Sequence, residues 1–217
     1  GQITLTEVFQ QLYLNKRRIL PDGRLKFPGD RTYHWNFIPL DSPYFLRSMK
    51  KLLVLRHAKS SWDDPNMSDF ERPLNPRGLS AAPFMGKLIA EKGLSPGLIV
   101  SSPAARAKRT AELVRESSGV ESELAFDERI YEASPQMLLQ VVSQIGAANP
   151  SVMLVGHNPG IEGFIRYLTG ELQPMPTAAL AVIDLNIAEW DQIGPNCGRL
   201  MNLYRPKDEI KASGKGG

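Results

Sequence analysis

Three short apolar runs, Leu52–Leu55, Leu98–Val100 and Val152–Val155, each stop at a polar motif, and each gives way to a segment that opens like a helix. Short continuous apolar runs read as strands buried on both faces. The helix openers are explicit. Asn75-Pro76 supplies a capping side chain and a proline suited to a first turn, predicting a helix to about Lys92 with a kink at Pro83 and a stop at Gly93. Ser102-Pro103 starts a second helix to about Ser117. Ser134-Pro135 starts a third to about Ala148, with Met137, Leu138, Val141, Val142 and Ile145 at helical spacing. A fourth follows His157 and ends near Thr169. Ala125–Ile130 reads as irregular or a short strand, Ala178–Leu185 and Leu200–Tyr204 as late strands, and the polar stretch from Lys207 as a fraying tail. Repeated strand-then-helix units predict an α/β fold of three layers, α/β/α, around a mostly parallel central sheet.

Composition narrows the function classes. With 42% hydrophobic residues in 217, the chain can bury a real core. No apolar run approaches the ~20 residues that cross a bilayer, and no secretory signal is visible, so the expectation is a cytoplasmic protein. The single cysteine, Cys197, lies in a turn-like Pro195-Asn196-Cys197-Gly198 and fits an incidental thiol in a reducing compartment. Residues 1–48 hold seven of the 26 Lys/Arg and four of the 23 Asp/Glu, which leaves the remainder formally neutral. The excess positive charge therefore belongs to an N-terminal extension, where Asn15-Lys16-Arg17-Arg18 reads as a solvated face, and nucleic-acid binding is not expected. Met49 looks like a natural chain start, so the expected organisation is an extension over 1–48, a domain over 49–206 and a flexible tail over 207–217.

The polar motifs at the strand ends carry the chemistry. The first strand runs into Arg56-His57, the second into Ser101-Ser102-Pro103 with Arg106 and Arg109 just beyond, and the third into Gly156-His157. In a parallel sheet these ends share one edge, the edge at which α/β proteins bind ligands. Two of only three histidines are thereby gathered with arginines and helix N-termini, a set suited to phosphate. Histidine there can act as nucleophile or base.

Three motifs in order, Leu55-Arg56-His57-Ala58, Ser101-Ser102-Pro103-Ala104-Ala105-Arg106-Ala107 and Val155-Gly156-His157-Asn158-Pro159, make residues 49–206 resemble the histidine phosphatase (phosphoglycerate mutase-like) superfamily. Arg56-His57-Ala58-Lys59-Ser60-Ser61-Trp62 and Asp69-Phe70-Glu71-Arg72-Pro73-Leu74 look most like its SixA-type phosphohistidine phosphatases. The resemblance implies a phosphoglycerate mutase-like fold and a metal-independent phosphatase without cofactor. His57 would take the phosphoryl group covalently, while Arg56, Arg106 and His157 hold its oxygens. It also implies a proton donor on an irregular segment, for which Glu128 is the candidate and Glu132 the competitor. The substrate would be a protein phosphohistidine. The alternatives are a small phosphate ester, hydrolysed or isomerised, and an inactive phosphate-binding module.

Other residues have milder expectations. Lys59, Ser60 and Asn158 are candidates for contacting substrate. Asp69, Arg72 and Arg77 read as a structural ion-pair cluster over the site, Arg109 as a surface residue, and Trp62 and Trp190 as packing residues.

Overall fold

The computed structural model describes residues 50–213, together with two short antiparallel strands, β1 (Arg24–Lys26) and β2 (Thr32–His34). The chain divides into two units, Gly1–Arg47 and Ser48–Gly217. The Asn15–Arg18 basic cluster and residues 214–217 of the expected tail lie outside the described residues.

The second unit follows the order β3 (Lys50–Arg56), α1 (Pro76–Glu91), β4 (Leu98–Ser101), α2 (Ala105–Ser118), β5 (Glu123–Phe126), a 3-10 turn (Glu128–Ile130) and α3 (Pro135–Ser143). It continues with β6 (Ser151–Gly156), α4 (Gly160–Thr169), β7 (Leu180–Leu185), a 3-10 turn (Trp190–Gln192), β8 (Gly198–Tyr204) and α5 (Pro206–Ser213). The six strands form one sheet in the order β5-β4-β6-β3-β7-β8. The β3–β6, β4–β6 and β4–β5 pairs are parallel, whereas β7 pairs antiparallel with both β3 and β8.

Alternation along the central strands sorts side chains into two cores, as a pleated strand requires. Leu52, Val54, Val152 and Leu154 pack on one face with Leu138 and Val141 of α3 and Phe164 and Ile165 of α4. Leu53, Leu55, Met153 and Val155 pack on the other with Ala82, Met85 and Ile89 of α1 and Ala107, Ala111 and Val114 of α2. Leu52, Leu53, Val54 and Leu55 are all fully buried, so each side chain contributes about 1.5–3 kcal/mol. This is the three-layer α/β/α arrangement, with helices on both faces.

The structure departs from the sequence expectations in instructive places. Helix α1 runs through Pro83 without interruption, and Asn75 accepts from the Gly78 N–H at 3.0 Å, as a cap should. Ser102 does not cap α2. The helix starts at Ala105 without a side-chain cap: Ala104 stands at the cap position, and Ser102, two residues earlier, accepts from the Ala104 N–H. Helix α3 stops at Ser143 rather than near Ala148. The segment expected to fray from Lys207 is helical over Pro206–Ser213, where Pro206 opens the helix, Asp208 and Glu209 lie in its first turn and Lys211 in its last. That charge order suits the helix dipole. No helix among the described residues is long and apolar enough to cross a membrane.

Candidate active site

Register alone brings the two histidines together. Arg56 of β3 pairs with Gly156 of β6, so His57 and His157 leave adjacent parallel strands side by side. The His57 N–H donates to the Gly156 carbonyl at 3.0 Å, and the ring centroids lie 4.9 Å apart. On the other side of β6, Ser101 pairs with Val155 and the Ser102 N–H donates to the Val155 carbonyl at 3.0 Å. Three strand ends thus deliver His57, His157 and Ser102 to one edge, with Arg106 in the first turn of α2.

Both imidazoles are nearly buried, at 8% and 7% exposure. Nδ1 of His57 lies 2.7 Å from the Ala58 carbonyl, which can only accept, so Nδ1 carries the proton and Nε2 keeps its lone pair. The neighbouring backbone is anchored in turn. The Ala58 N–H donates to Thr110 Oγ1 at 3.0 Å, and that hydroxyl donates to the Arg106 carbonyl at 2.6 Å. Burial lowers the His57 pKa to about 3; His157, Arg106 and Arg56 add to the effect, and the Ala58 hydrogen bond opposes it. Burial also lowers His157 to about 4, reinforced by Arg106 and Arg56 and opposed by Asp69. Both rings are therefore neutral at neutral pH.

Nε2 of His157 lies 2.9 Å from the Ser102 hydroxyl, which itself accepts from the Ala104 N–H at 3.3 Å. The hydroxyl hydrogen is satisfied by donating to Nε2, which places the proton of neutral His157 on Nδ1. That nitrogen is buried and has no partner. Arg56 presents a second such donor: its Nη1 donates to the Met175 carbonyl at 2.7 Å, while its buried Nε has no partner. Buried donors without partners are costly unless a ligand completes them. Burial lowers the Arg56 pKa, and Glu162 counters this. Arg106, 6% exposed, completes the cationic set.

The remaining expected residues fall into three groups. Asn158 lies beside the cluster; its amide donates to Glu162 at 2.7 Å and the Met175 carbonyl at 3.1 Å, which leaves a buried, unpartnered Oδ1. Ser60 is buried and accepts from Arg72 Nη2 at 2.6 Å, so it serves the loop rather than an open surface. Lys59 is exposed, and its backbone presses against Gly78, where a Cβ would meet the Lys59 carbonyl oxygen at 2.2 Å. Glu128 and Glu132 are both exposed, and neither side chain makes a hydrogen bond or ion pair with the cluster. Glu132 acts electrostatically on Tyr131, the residue whose ring meets His157. Arg109 is a surface residue paired with Glu112 at 3.1 Å.

Asp69 and Arg72 do form an ion pair, at 2.6 Å, but the exposed Arg77 is outside it. Trp190 is a packing residue at 1% exposure. Trp62 is not: it is 71% exposed, and its ring lies 3.1 Å from the Arg72 guanidinium carbon. Sequence reasoning missed Tyr131, whose ring meets His157 edge-on at 5.6 Å. Close by, Gly160 lets the start of α4 pass the Ala133 backbone, where a Cβ would lie 2.1 Å from the carbonyl oxygen. Among the described residues no group of three or more His, Cys, Asp or Glu side chains could hold a metal ion.

The sequence profile of the histidine phosphatase superfamily, branch 1, matches residues 52–138. A candidate phosphohistidine phosphatase SixA from Agrobacterium tumefaciens is 30% identical and superposes with a TM-score of 0.63, covering 72% of this chain and 98% of that one. An uncharacterized chloroplastic protein of Arabidopsis thaliana is 28% identical over 174 residues, 74% of this chain and 80% of its own length. A 2,3-bisphosphoglycerate-dependent phosphoglycerate mutase from Azorhizobium caulinodans is 36% identical over 98 residues, 38% of this chain and 44% of the mutase. By profile, fold and relatives, the chain belongs to the histidine phosphatase superfamily.

Proposed function

We propose that this chain is a phosphatase that carries the phosphoryl group on His57, and that its substrate is a phosphohistidine on a protein. The observation behind the reading is the pair of neutral imidazoles 4.9 Å apart with buried, unpartnered donors on Arg56 and His157 beside them. In the first step, Nε2 of His57 bonds to phosphorus as the bond to the leaving group breaks. Arg56, Arg106 and Nδ1–H of His157 stabilise the three oxygens on which charge is spread. In the second step, water attacks phosphorus, the P–N bond breaks, and the water protons leave with inorganic phosphate. Neutral His57 is restored with its proton still on Nδ1.

The leaving group favours phosphohistidine over an ordinary ester. An alkoxide needs a proton from a nearby acid. Asp69, the carboxylate that binds Arg106, has a pKa of about 2: burial would raise it, but hydrogen bonds from Arg106, Tyr131 and Arg72 prevail. It is ionised and cannot donate at neutral pH. Glu128 and Glu132 make no bond to the cluster. A phosphohistidine whose second ring nitrogen carries a proton releases neutral imidazole, whose conjugate acid has a pKa near 6.5, a far better leaving group than an alkoxide. The single thiol, Cys197, supports a reducing compartment such as the cytoplasm.

The test is a panel of a histidine-phosphorylated protein, an aryl phosphate and a sugar phosphate. The expected result is hydrolysis in that order of kcat/KM, with inhibition by vanadate. A preference for the sugar phosphate, or phosphoryl transfer within it, would replace the reading with a metabolite phosphatase or mutase. Vanadate binding without turnover of any substrate would mark an inactive phosphate-binding module.

A further inference from the structure

Asp69 gathers more of the site than any other residue that sequence reasoning set aside as scaffold. Its carboxylate accepts from three segments: Arg106 Nη2 of α2 at 2.7 Å, Arg72 Nη1 at 2.6 Å and the Tyr131 hydroxyl at 3.0 Å. Its backbone carbonyl accepts from Arg106 Nη1 as well. One residue therefore grips both terminal nitrogens of Arg106. The loop that carries Asp69 is itself docked on the start of α2, where the Ala105 N–H donates to the Phe70 carbonyl at 3.0 Å. Arg72 ties the same loop together by donating to the Ser61 carbonyl at 2.9 Å and to Ser60.

A carboxylate against a phosphate-binding arginine carries an electrostatic cost, because it competes with the incoming dianion. The compensating gain is orientation. Free arginine side chains lose about 1.5–2 kcal/mol of rotamer entropy when fixed. Guanidinium has five N–H groups, and the two bonds to Asp69 leave three for an anion. We propose that Asp69 is the positioning residue of Arg106, fixing its guanidinium before substrate arrives so that its remaining N–H groups face the phosphoryl position. This rests on the phosphatase reading of the site. Tyr131 belongs to the same assembly: its hydroxyl is on Asp69, its ring is edge-on to His157, and the Arg106 guanidinium carbon lies 5.9 Å from its centroid.

A double-mutant cycle on vanadate affinity, measured by calorimetry on the full chain, separates positioning from simple scaffolding. Asp69→Asn should weaken vanadate binding about tenfold in the otherwise native protein, the factor expected from freeing one long side chain. In an Arg106→Ala background, the same change should alter binding less than twofold, since no guanidinium remains to be positioned. Thermal unfolding checks that each variant is folded. Should Asp69→Asn fail to fold, Asp69→Glu, which displaces the carboxylate by one methylene, carries the same two expectations. Equal losses in both backgrounds, or no loss in either, would overturn the inference while leaving the phosphatase reading intact. Failure of the native protein to bind vanadate would instead overturn the phosphatase reading and this inference with it.

Discussion

Acid should destabilise this fold through its two buried histidines, His57 and His157, and the size of the effect can be worked out in advance. His57 and His157 have native pKa values of about 3 and about 4, against 6.5 unfolded. The sign follows from which state binds protons. Above pH 6.5 both states are neutral and the two groups are silent. Below it the unfolded chain takes up two protons that the native site refuses, so stability falls as pH drops, until the native values are reached. Between pH 7 and pH 5 each histidine should remove about 2 kcal/mol, and the pair about 4 kcal/mol. Both native values lie below pH 5, so the result depends on their direction more than on their size. Urea unfolding at closely spaced pH values gives the curve for the native chain and for His57→Ala. The variant should lose about 2 kcal/mol less over that interval, whatever its stability at pH 7. Parallel curves would refute the claim that His57 is buried and neutral. Saturating phosphate should flatten the native curve, because a bound dianion favours protonated imidazole.

Arg106→Ala should lower kcat/KM for an aryl phosphate by about a hundred- to a thousandfold, the usual cost of removing one donor to a developing anion; a loss below fivefold would contradict its role. Thr110→Val removes the acceptor of the buried Ala58 N–H and should cost about 1–3 kcal/mol by denaturant titration, whereas Thr110→Ser should restore most of it. Gly160→Ala would ordinarily favour a helix, but here the new Cβ meets the Ala133 carbonyl oxygen, so the expected change is a loss of about 1–3 kcal/mol and weaker vanadate binding as the Tyr131 segment shifts. A rise in melting temperature for that variant would show that the contact is not restrictive.

What the sequence reveals and what it hides divide along physical lines. Strand ends are legible because an apolar run that stops at a charged motif fixes both a buried element and its mouth. Leu52–Leu55 with Arg56-His57 and Val152–Val155 with Gly156-His157 place the two imidazoles, and β3–β6 register does the rest. Helix starts marked by Asn75-Pro76 and Ser134-Pro135 are equally plain, because their caps are local. Ser102-Pro103 looks the same, but the helix begins two residues later at Ala105 and the Ser102 hydroxyl also meets a histidine 55 positions away, which no local pattern shows. Asp69 is the sharper case. Its partner three positions on, Arg72, is visible as a local ion pair, but Arg106 and Tyr131 lie 37 and 62 positions away and no spacing rule joins them. Glu128 is a different case: its pattern suits a proton donor, its side chain is exposed, and only its carbonyl, which accepts from the Tyr131 N–H, joins it to the site. The antiparallel pairing of β7 and β8 is also invisible in composition, because strand direction depends on how the chain returns.

The covalent step is tested most directly by trapping. The chain is mixed with a phosphoryl donor labelled in phosphorus and quenched within milliseconds in base, where phosphohistidine survives, and the label is located by peptide mass spectrometry. Label on His57, absent from His57→Ala and chased to inorganic phosphate in the native protein, is the predicted result. Label on another residue, or full turnover by His57→Ala, would contradict the account at its centre.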